Sequence, residues 1–162
     1  MTEKPAQHKC IVAIRIRGVV SASLEVRETL EMLRLTKNNY AVLIDDRQSI
    51  LGMLSLVRDY VAYGEPSKET VTALIKQRGR LQGDKKLTED YARNNGFDTL
   101  AAFAAAVFDC KTQYWKMPEV KGVFRLHPPT KGFKHSIKKG YGQGGELGHR
   151  GEKIDELLKR MF

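Results

Sequence analysis

Residues 10–17 alternate between apolar and other side chains, with the period of two that is typical of a β-strand. Val12, Ile14 and Ile16 fall on one side, and Ala13, Arg15 and Arg17 fall on the other. We therefore expect a first strand that carries two arginines on one face.

The period changes to that of a helix after Gly18. Ser23 is a suitable N-cap, and Val26, Leu30 and Leu33 repeat at the i, i+4, i+7 spacing of one helical face. The pattern predicts a helix from Ser23 to about Leu35, and residues 37–39 form a polar turn behind it.

A second strand and a second helix follow in the same order. Tyr40–Ile44 is apolar on both faces, and residues 45–49 are polar enough to end the strand and cap a helix. The next apolar positions repeat at helical spacing: Ile50, Met53, Leu54 and Val57. Together these segments form a βαβα unit whose two helices would cover one face of a sheet.

Residues 65–112 predict three short helices that pack on the sheet as an insertion. Ser67 is expected to cap the first, Thr88 opens a short turn, and Asp98 is expected to cap the most apolar one. The aromatic and Met positions in these helices are interpreted as core rather than as a cofactor site.

The last third of the chain combines a strand, an extended segment and a helix. Strand character returns at Val120–His127 and stops at two prolines, since proline cannot donate to a ladder. Gly132–Arg150 is basic and glycine-rich, and a closing amphipathic helix carries its apolar face on Ile154, Leu157, Leu158 and Met161.

We treat residues 1–162 as a single domain of the α+β class. It comprises a βαβα core at 8–64, the helical insertion at 65–112, and a final part at 113–162 with a last strand, the basic segment and the C-terminal helix. Hydrophobic residues make up 41% of the chain, which is typical of a globular protein.

The charge is concentrated in one quarter of the sequence. The net charge is +9, and residues 111–150 hold nine Lys or Arg against two Asp or Glu, together with half of the fourteen glycines. Such a composition disfavours a compact core. We expect residues 130–150 to be poorly ordered in the free protein and to become ordered on a polyanion.

The sequence gives little support for secretion, for a membrane span or for a zinc site. The polar start lacks the apolar stretch of a secretory signal, no apolar run approaches the length of a membrane span, and Cys10 and Cys110 lack zinc spacing. We expect a protein of the reducing cytoplasm, without membrane contact, metal or cofactor. A disulfide between the two cysteines remains an alternative.

The sequence motifs of common enzymes are either absent or lack the neighbouring strand and helix that they require. Residues 140–145 match GxGxxG, but neither a buried strand before them nor a helix directly after them is predicted. Neither a GxxxxGK[ST] loop nor a GxSxG elbow occurs. We expect neither an enzyme nor a small-molecule substrate.

The basic and aromatic residues instead favour RNA binding. Lysine and arginine hold phosphates, glycine lets the backbone approach them closely, and aromatic rings stack on bases. The candidate RNA-binding residues are Arg15, Arg17, Arg34, Lys37, Asn38, Arg47, Arg125, His127, Lys131, Phe133, Lys134, His135, Lys138, Lys139, Tyr141, His149 and Arg150.

Several runs resemble one known family. The sequences VFRLHPP at 123–129, KGF at 131–133 and GGELGHRGEKI at 144–154 closely resemble the archaeal branch of large-subunit ribosomal protein L-thirty, whose eukaryotic counterpart is called L-seven. The first sixty residues look like the core of that family. One departure is Leu51, where many relatives place an arginine that would contact RNA.

The resemblance implies a ferredoxin-like core with a mixed sheet and helices on one face. It also implies a structural, non-catalytic role on large-subunit ribosomal RNA, next to other ribosomal proteins. A free-standing RNA-binding or ribosome-assembly factor of the same fold remains an alternative, as does a small phosphate-handling enzyme that uses the basic segment as a clamp.

Overall fold

A computed structural model describes residues 7–162. Its strands are β1 (Cys10–Arg15), β2 (Tyr40–Asp45), β3 (Val61–Gly64), β4 (Phe124–Arg125), β5 (Ser136–Gly140) and β6 (Gly145–His149). Its helices are α1 (Leu24–Met32), α2 (Gln48–Leu56), α3 (Lys68–Arg78), α4 (Glu89–Asn94), α5 (Leu100–Phe108) and α6 (Ile154–Lys159).

The six strands form one mixed sheet in the order β4-β2-β1-β3-β6-β5. Strand β1 pairs antiparallel with both β2 and β3, and β2 pairs antiparallel with β4. Strand β6 runs parallel to β3 and to β5. The predicted α+β class with a ferredoxin-like core is thereby confirmed, although β3, β5 and β6 were not predicted.

Two hydrophobic layers sandwich the sheet, because the strands at its centre are apolar on both sides. Helices α1 and α2 pack over Ile11, Ala13 and Ile44 on one face. Helices α3 to α6 pack over Val12 and Ile14 on the other. The expectation that the two helices of the βαβα unit cover one face of the sheet is therefore confirmed, and the insertion and the C-terminal helix cover the other face.

The N-cap residues predicted from the sequence are confirmed in part. Ser23 and Ser67 cap α1 and α3 by accepting hydrogen bonds from the backbone N–H groups of Val26 and Thr70. Thr99, not Asp98, caps α5, and α2 begins after Arg47 without a side-chain cap. Within residues 7–162 we find no helix that is long and apolar enough to cross a membrane.

The basic segment contains more regular structure than its composition predicts. Gly145, Glu146 and Leu147 are buried on β6, and Leu147 joins the core beneath α6. Gly145 has to be glycine, because a Cβ there would lie 1.9 Å from the carbonyl oxygen of Lys139 on the neighbouring strand. The expectation that this segment lacks core residues is wrong for β6.

Candidate nucleic-acid interface

Strand register brings several candidate residues to one end of the sheet. The end of β1 at Arg15 lies beside the starts of β2 and β3, and Tyr40 pairs with Arg125 at the end of β4. Strand β6 pairs with β3 through Gly148 and His149, so its first two residues extend past the start of β3, and β5 pairs with this part of β6 through Ser136 and Gly145. We call this region (residues 16–18, 36–39, 58–60 and 134–139) the cationic end.

Arg15 has a different role from the one that its sequence position suggests. Its side chain is buried, and its guanidinium donates hydrogen bonds to the carbonyl oxygens of Arg17 (3.2 Å), Leu35 (3.1 Å) and Thr36 (2.6 Å). Burial also lowers its pKa. Arg15, a candidate RNA-binding residue, instead ties the loop after α1 to the sheet.

Arg17, Lys37 and Asn38 lie at the cationic end. The guanidinium carbon of Arg17 stands 5.5 Å from the centre of the Tyr60 ring. Lys37 and Asn38 are exposed and line a shallow depression with Arg27. Of these, Arg27 was missed, because it lies on a helix whose predicted role is to cover the sheet.

Strand β5 presents the densest row of exposed cations. Lys134 and His135 precede it, Lys138 and Lys139 lie on it, and all four residues are exposed. Because β5 is the edge strand of the sheet, its outer backbone groups have no neighbouring strand within the described chain. This edge therefore offers both lysine side chains and backbone donors to a ligand.

A buried acidic residue holds the start of β5 in place. Glu146 is 1% exposed, accepts a hydrogen bond from the backbone N–H of His135 (3.1 Å) and forms an ion pair with Arg150. Arg150 in turn stands 4.7 Å from the centre of the Tyr141 ring. Arg150 and Tyr141 were predicted to bind RNA, but here they contact each other, and Arg150 also pairs with the buried carboxylate.

Two further candidates are engaged by the protein itself. Arg125 forms an ion pair with Asp84 (3.1 Å), which also pairs with Lys121. The hydrogen bond from Lys121, with help from Arg125, lowers the pKa of Asp84. The ring nitrogens of His127 face the carbonyl oxygens of Pro128 and Phe162, so this residue fastens the chain to its C-terminus.

Lys131, Phe133 and His149 complete the basic segment. Lys131 is exposed, whereas Phe133 is half-buried and packs against the core beneath α6. His149 is exposed, and its ring centre lies 5.5 Å from that of Tyr63. Lys131 and His149 can therefore offer an exposed side chain to a ligand, whereas Phe133 cannot.

Arg34 and Arg47 lie apart from the cationic end, in a groove beside β2. Arg47 is held by Asp45 at 2.8 Å, and this hydrogen bond raises the pKa of Arg47. Arg34 is exposed and lines the same groove, together with Lys116, which the sequence analysis missed. The candidate residues thus form two surfaces rather than one.

The part of the chain that the structure describes shows no arrangement of side chains that suits a metal ion. Among residues 7–162, no group of three His, Cys, Asp or Glu side chains is arranged to hold a metal ion. His127, His135 and His149 occupy three different settings: a contact with the C-terminus, the start of β5 and a contact with Tyr63.

Comparison with known proteins gives a consistent result. The family described as Ribosomal protein L30p/L7e matches residues 11–61, from β1 to the start of β3. Large ribosomal subunit protein uL30 of Methanoculleus marisnigri is 45% identical over 149 residues, which cover 91% of this chain and 97% of that protein. The proteins of the same name from Archaeoglobus fulgidus and Methanopyrus kandleri are 47% and 43% identical, over 91% of this chain and 97% and 100% of their own lengths.

Proposed function

The chain belongs to the ribosomal protein L30p/L7e family, and on that premise we propose that it is a structural constituent of the large ribosomal subunit that binds ribosomal RNA. One observation carries the proposal: the similarity to archaeal relatives named for that subunit spans 91% of this chain. The likeness therefore extends beyond the part that the family description matches.

The exposed cations support RNA as the ligand. Lys37, Lys134, Lys138 and Lys139 have no carboxylate partner within residues 7–162, whereas Arg47, Arg125 and Arg150 do. Unpaired lysines at one end of the sheet would attract phosphates and release their counterions, which gives a large and salt-dependent binding energy.

The geometry favours recognition of RNA shape. The described chain presents a lysine-rich edge strand rather than a helix shaped for a DNA groove, and lysine acts as a point charge toward phosphate. We propose that β5 and the cationic end follow the backbone of folded ribosomal RNA, in a role that is structural and not enzymatic. Neighbouring ribosomal proteins would adjoin the remaining surface.

Filter binding of the full chain to protein-free large-subunit ribosomal RNA tests this proposal. We expect the logarithm of affinity to fall steeply with the logarithm of salt concentration, by about 0.7 to 0.9 for each phosphate contact. Lys134→Ala should reduce that slope by about one unit. Lys76→Ala on α3, an exposed lysine outside both surfaces, serves as the control.

A flat salt dependence would contradict the proposal. So would equal slopes for the wild type and Lys134→Ala, because they would mean that the cations of the basic segment do not contact phosphate. The RNA must be intact and folded, since the proposal concerns a structured surface rather than a loose polyanion.

A further inference from the structure

The groove beside β2 has a composition that the cationic end does not share. It is an opening of about 270 Å³ on the face covered by α1 and α2, between the end of α1, the start of α2 and the segment around Trp115. Its apolar lining includes Met32, Ile50, Met53 and Trp115. Met32 is 66% exposed, so part of this apolar surface is open to solvent.

Cations border the apolar lining, and no carboxylate does. Arg34, Arg47 and Lys116 line the groove, whereas none of its lining residues is Asp or Glu. Arg47 is anchored by Asp45 from outside the lining, and Arg34 has no carboxylate partner within residues 7–162. The charge of the groove is therefore complementary to an anion.

The backbone places Arg34 across the groove in an uncommon conformation. Its φ is +62°, a left-handed value that few residues other than glycine and asparagine adopt readily. Its side chain lies over Gly122, where a Cβ would approach a guanidinium nitrogen of Arg34 to 2.8 Å. Gly122 thus leaves the room that the arginine occupies.

We propose that this groove is a subsite for one unpaired nucleotide of the bound RNA. The base would contact Trp115 and the two methionines, and its phosphate would lie near Arg34 and Lys116. Stacking on an aromatic ring together with a cation at the phosphate is how proteins hold single-stranded bases. The inference rests on the proposed function, because it concerns part of the same RNA.

A base-paired nucleotide does not fit this description. Its faces are covered by neighbouring base pairs, so it cannot offer a free face to Trp115. The subsite therefore selects a bulged, looped or terminal nucleotide. An acidic peptide of a neighbouring protein would meet the same cations, and the experiment below separates that occupant from RNA.

The single tryptophan of the chain makes the test direct. Trp115 is the only tryptophan, so quenching of tryptophan fluorescence by acrylamide reports the accessibility of this one side chain. We expect protein-free large-subunit ribosomal RNA to lower the quenching constant at least about threefold. Ultraviolet cross-linking followed by trypsin digestion should place a nucleotide adduct on the peptide 112–116, in which Tyr114 is fully buried.

Two variants of one helix provide a matched pair. Ser49→Glu puts a carboxylate into the groove at the first turn of α2, where a negative charge is favourable for the helix. Ser55→Glu makes the same change at an exposed position of α2 that does not line the groove. We expect the first variant to lose both the protection of Trp115 and the adduct, and the second to keep them.

The possible results separate this inference from the proposed function. Binding of RNA in the filter assay with an unchanged quenching constant and no adduct on 112–116 would overturn the subsite and leave RNA binding intact. Absence of RNA binding in the filter assay would overturn the proposed function. Protection that survives Ser49→Glu would also overturn the subsite, because it would place the RNA elsewhere.

Discussion

Glu146 stabilises the basic segment because its carboxylate balances a buried positive charge and accepts a hydrogen bond from a backbone N–H group. Its carboxylate is 1% exposed and meets both the Arg150 side chain, itself 7% exposed, and the backbone N–H of His135. A buried ion pair adds little over a well-packed apolar pair, but the loss of one partner leaves a charge uncompensated. Removal of the Glu146 carboxylate would therefore leave the buried Arg150 guanidinium without a counter-charge.

We expect Glu146→Ala to lower the free energy of unfolding by about 3 kcal/mol, because it leaves Arg150 buried without a counter-charge. Urea unfolding followed by circular dichroism measures the change. Glu156→Ala, at an exposed position of α6, should change stability by less than about 0.5 kcal/mol. Equal effects of the two substitutions would show that the carboxylate of Glu146 is not buried against Arg150.

Arg15 is an arginine that stabilises the fold through hydrogen bonds to backbone carbonyl oxygens. Arg15→Met keeps an unbranched side chain but removes the donors to the carbonyl oxygens of Leu35 and Thr36. We expect a loss of about 2 kcal/mol in unfolding free energy, since the buried carbonyl oxygen of Leu35 loses its charged donor. The salt slope of RNA binding should stay at the wild-type value, and a reduced slope would mean that Arg15 reaches phosphate after all.

The two cysteines differ in exposure but share a low reactivity. Burial raises the pKa of Cys10 to about 12 and that of Cys110 to about 11, so both remain thiols at neutral pH. At pH 7.5 the thiolate fraction of Cys110 would be about a hundredfold below that of a cysteine with the ordinary pKa of 9.0.

Alkylation with iodoacetamide, followed by mass spectrometry, checks this expectation. We expect slow labelling of the folded protein, with the half-buried Cys110 ahead of the buried Cys10, and fast labelling of both in urea. The rate on the folded protein should rise with pH up to about 11. Equal labelling rates in the folded and unfolded chain would contradict the burial of both thiols.

At this scale, the sequence identifies charged residues but not their partners. Exposed Lys134 and Lys138 lie where a basic segment would place them, whereas Arg15 and Arg150 are held by contacts from distant parts of the chain or from a buried carboxylate. The contacts of Arg15 depend on tertiary packing, and the i,i+4 spacing of Glu146 and Arg150 does not reveal that both side chains are buried. Lys116 was missed for the same reason, because only the fold brings it to the groove.

Among the elements, those with a long and regular period were predicted best. Helices α1, α2 and α6 and strands β1 and β2 carry clear apolar periodicity. All four apolar residues predicted for the closing helix are buried, although Met161 lies beyond the end of α6. Strand β3 has four residues, and β4 has two of the eight residues predicted as a strand. Short strands are defined by their neighbours, and periodicity alone does not identify them.

Strands β5 and β6 make a prediction about order in the free protein. Strand β6 pairs on both sides and is buried at its first three residues, whereas β5 pairs on one side and is mostly exposed. We expect the amides of β6 to exchange slowly without RNA, and those of β5 to exchange faster and to gain protection when RNA binds.

Hydrogen exchange with mass spectrometry can resolve the two strands. Helix α5, which is part of the core, serves as the internal reference for full protection. Fast exchange throughout residues 130–150 would support the disorder expected from composition and contradict the pairing of β6 with β3. Full protection of β5 without RNA would contradict its position as an open edge.

In the molecule as a whole, exposed basic residues lie at the margin of a layered body of sheet and helices. The apolar sheet is covered by helices on both faces, and exposed basic residues lie at the cationic end, which includes most of the edge strand β5, and in the groove beside β2. The charge partition along the sequence correctly indicated that the basic residues of 111–150 would be largely exposed. It could not indicate that Arg34 and Lys116 would share a groove, since 82 positions separate them.

Sedimentation of the tagged full chain in a lysate of its own cells tests whether the protein is a structural constituent of the large ribosomal subunit. A structural constituent should migrate with large ribosomal subunits through a sucrose gradient and stay with them through a wash at moderate salt. A chain that leaves the subunits in that wash would be a transient factor, and one that never migrates with them would contradict the account.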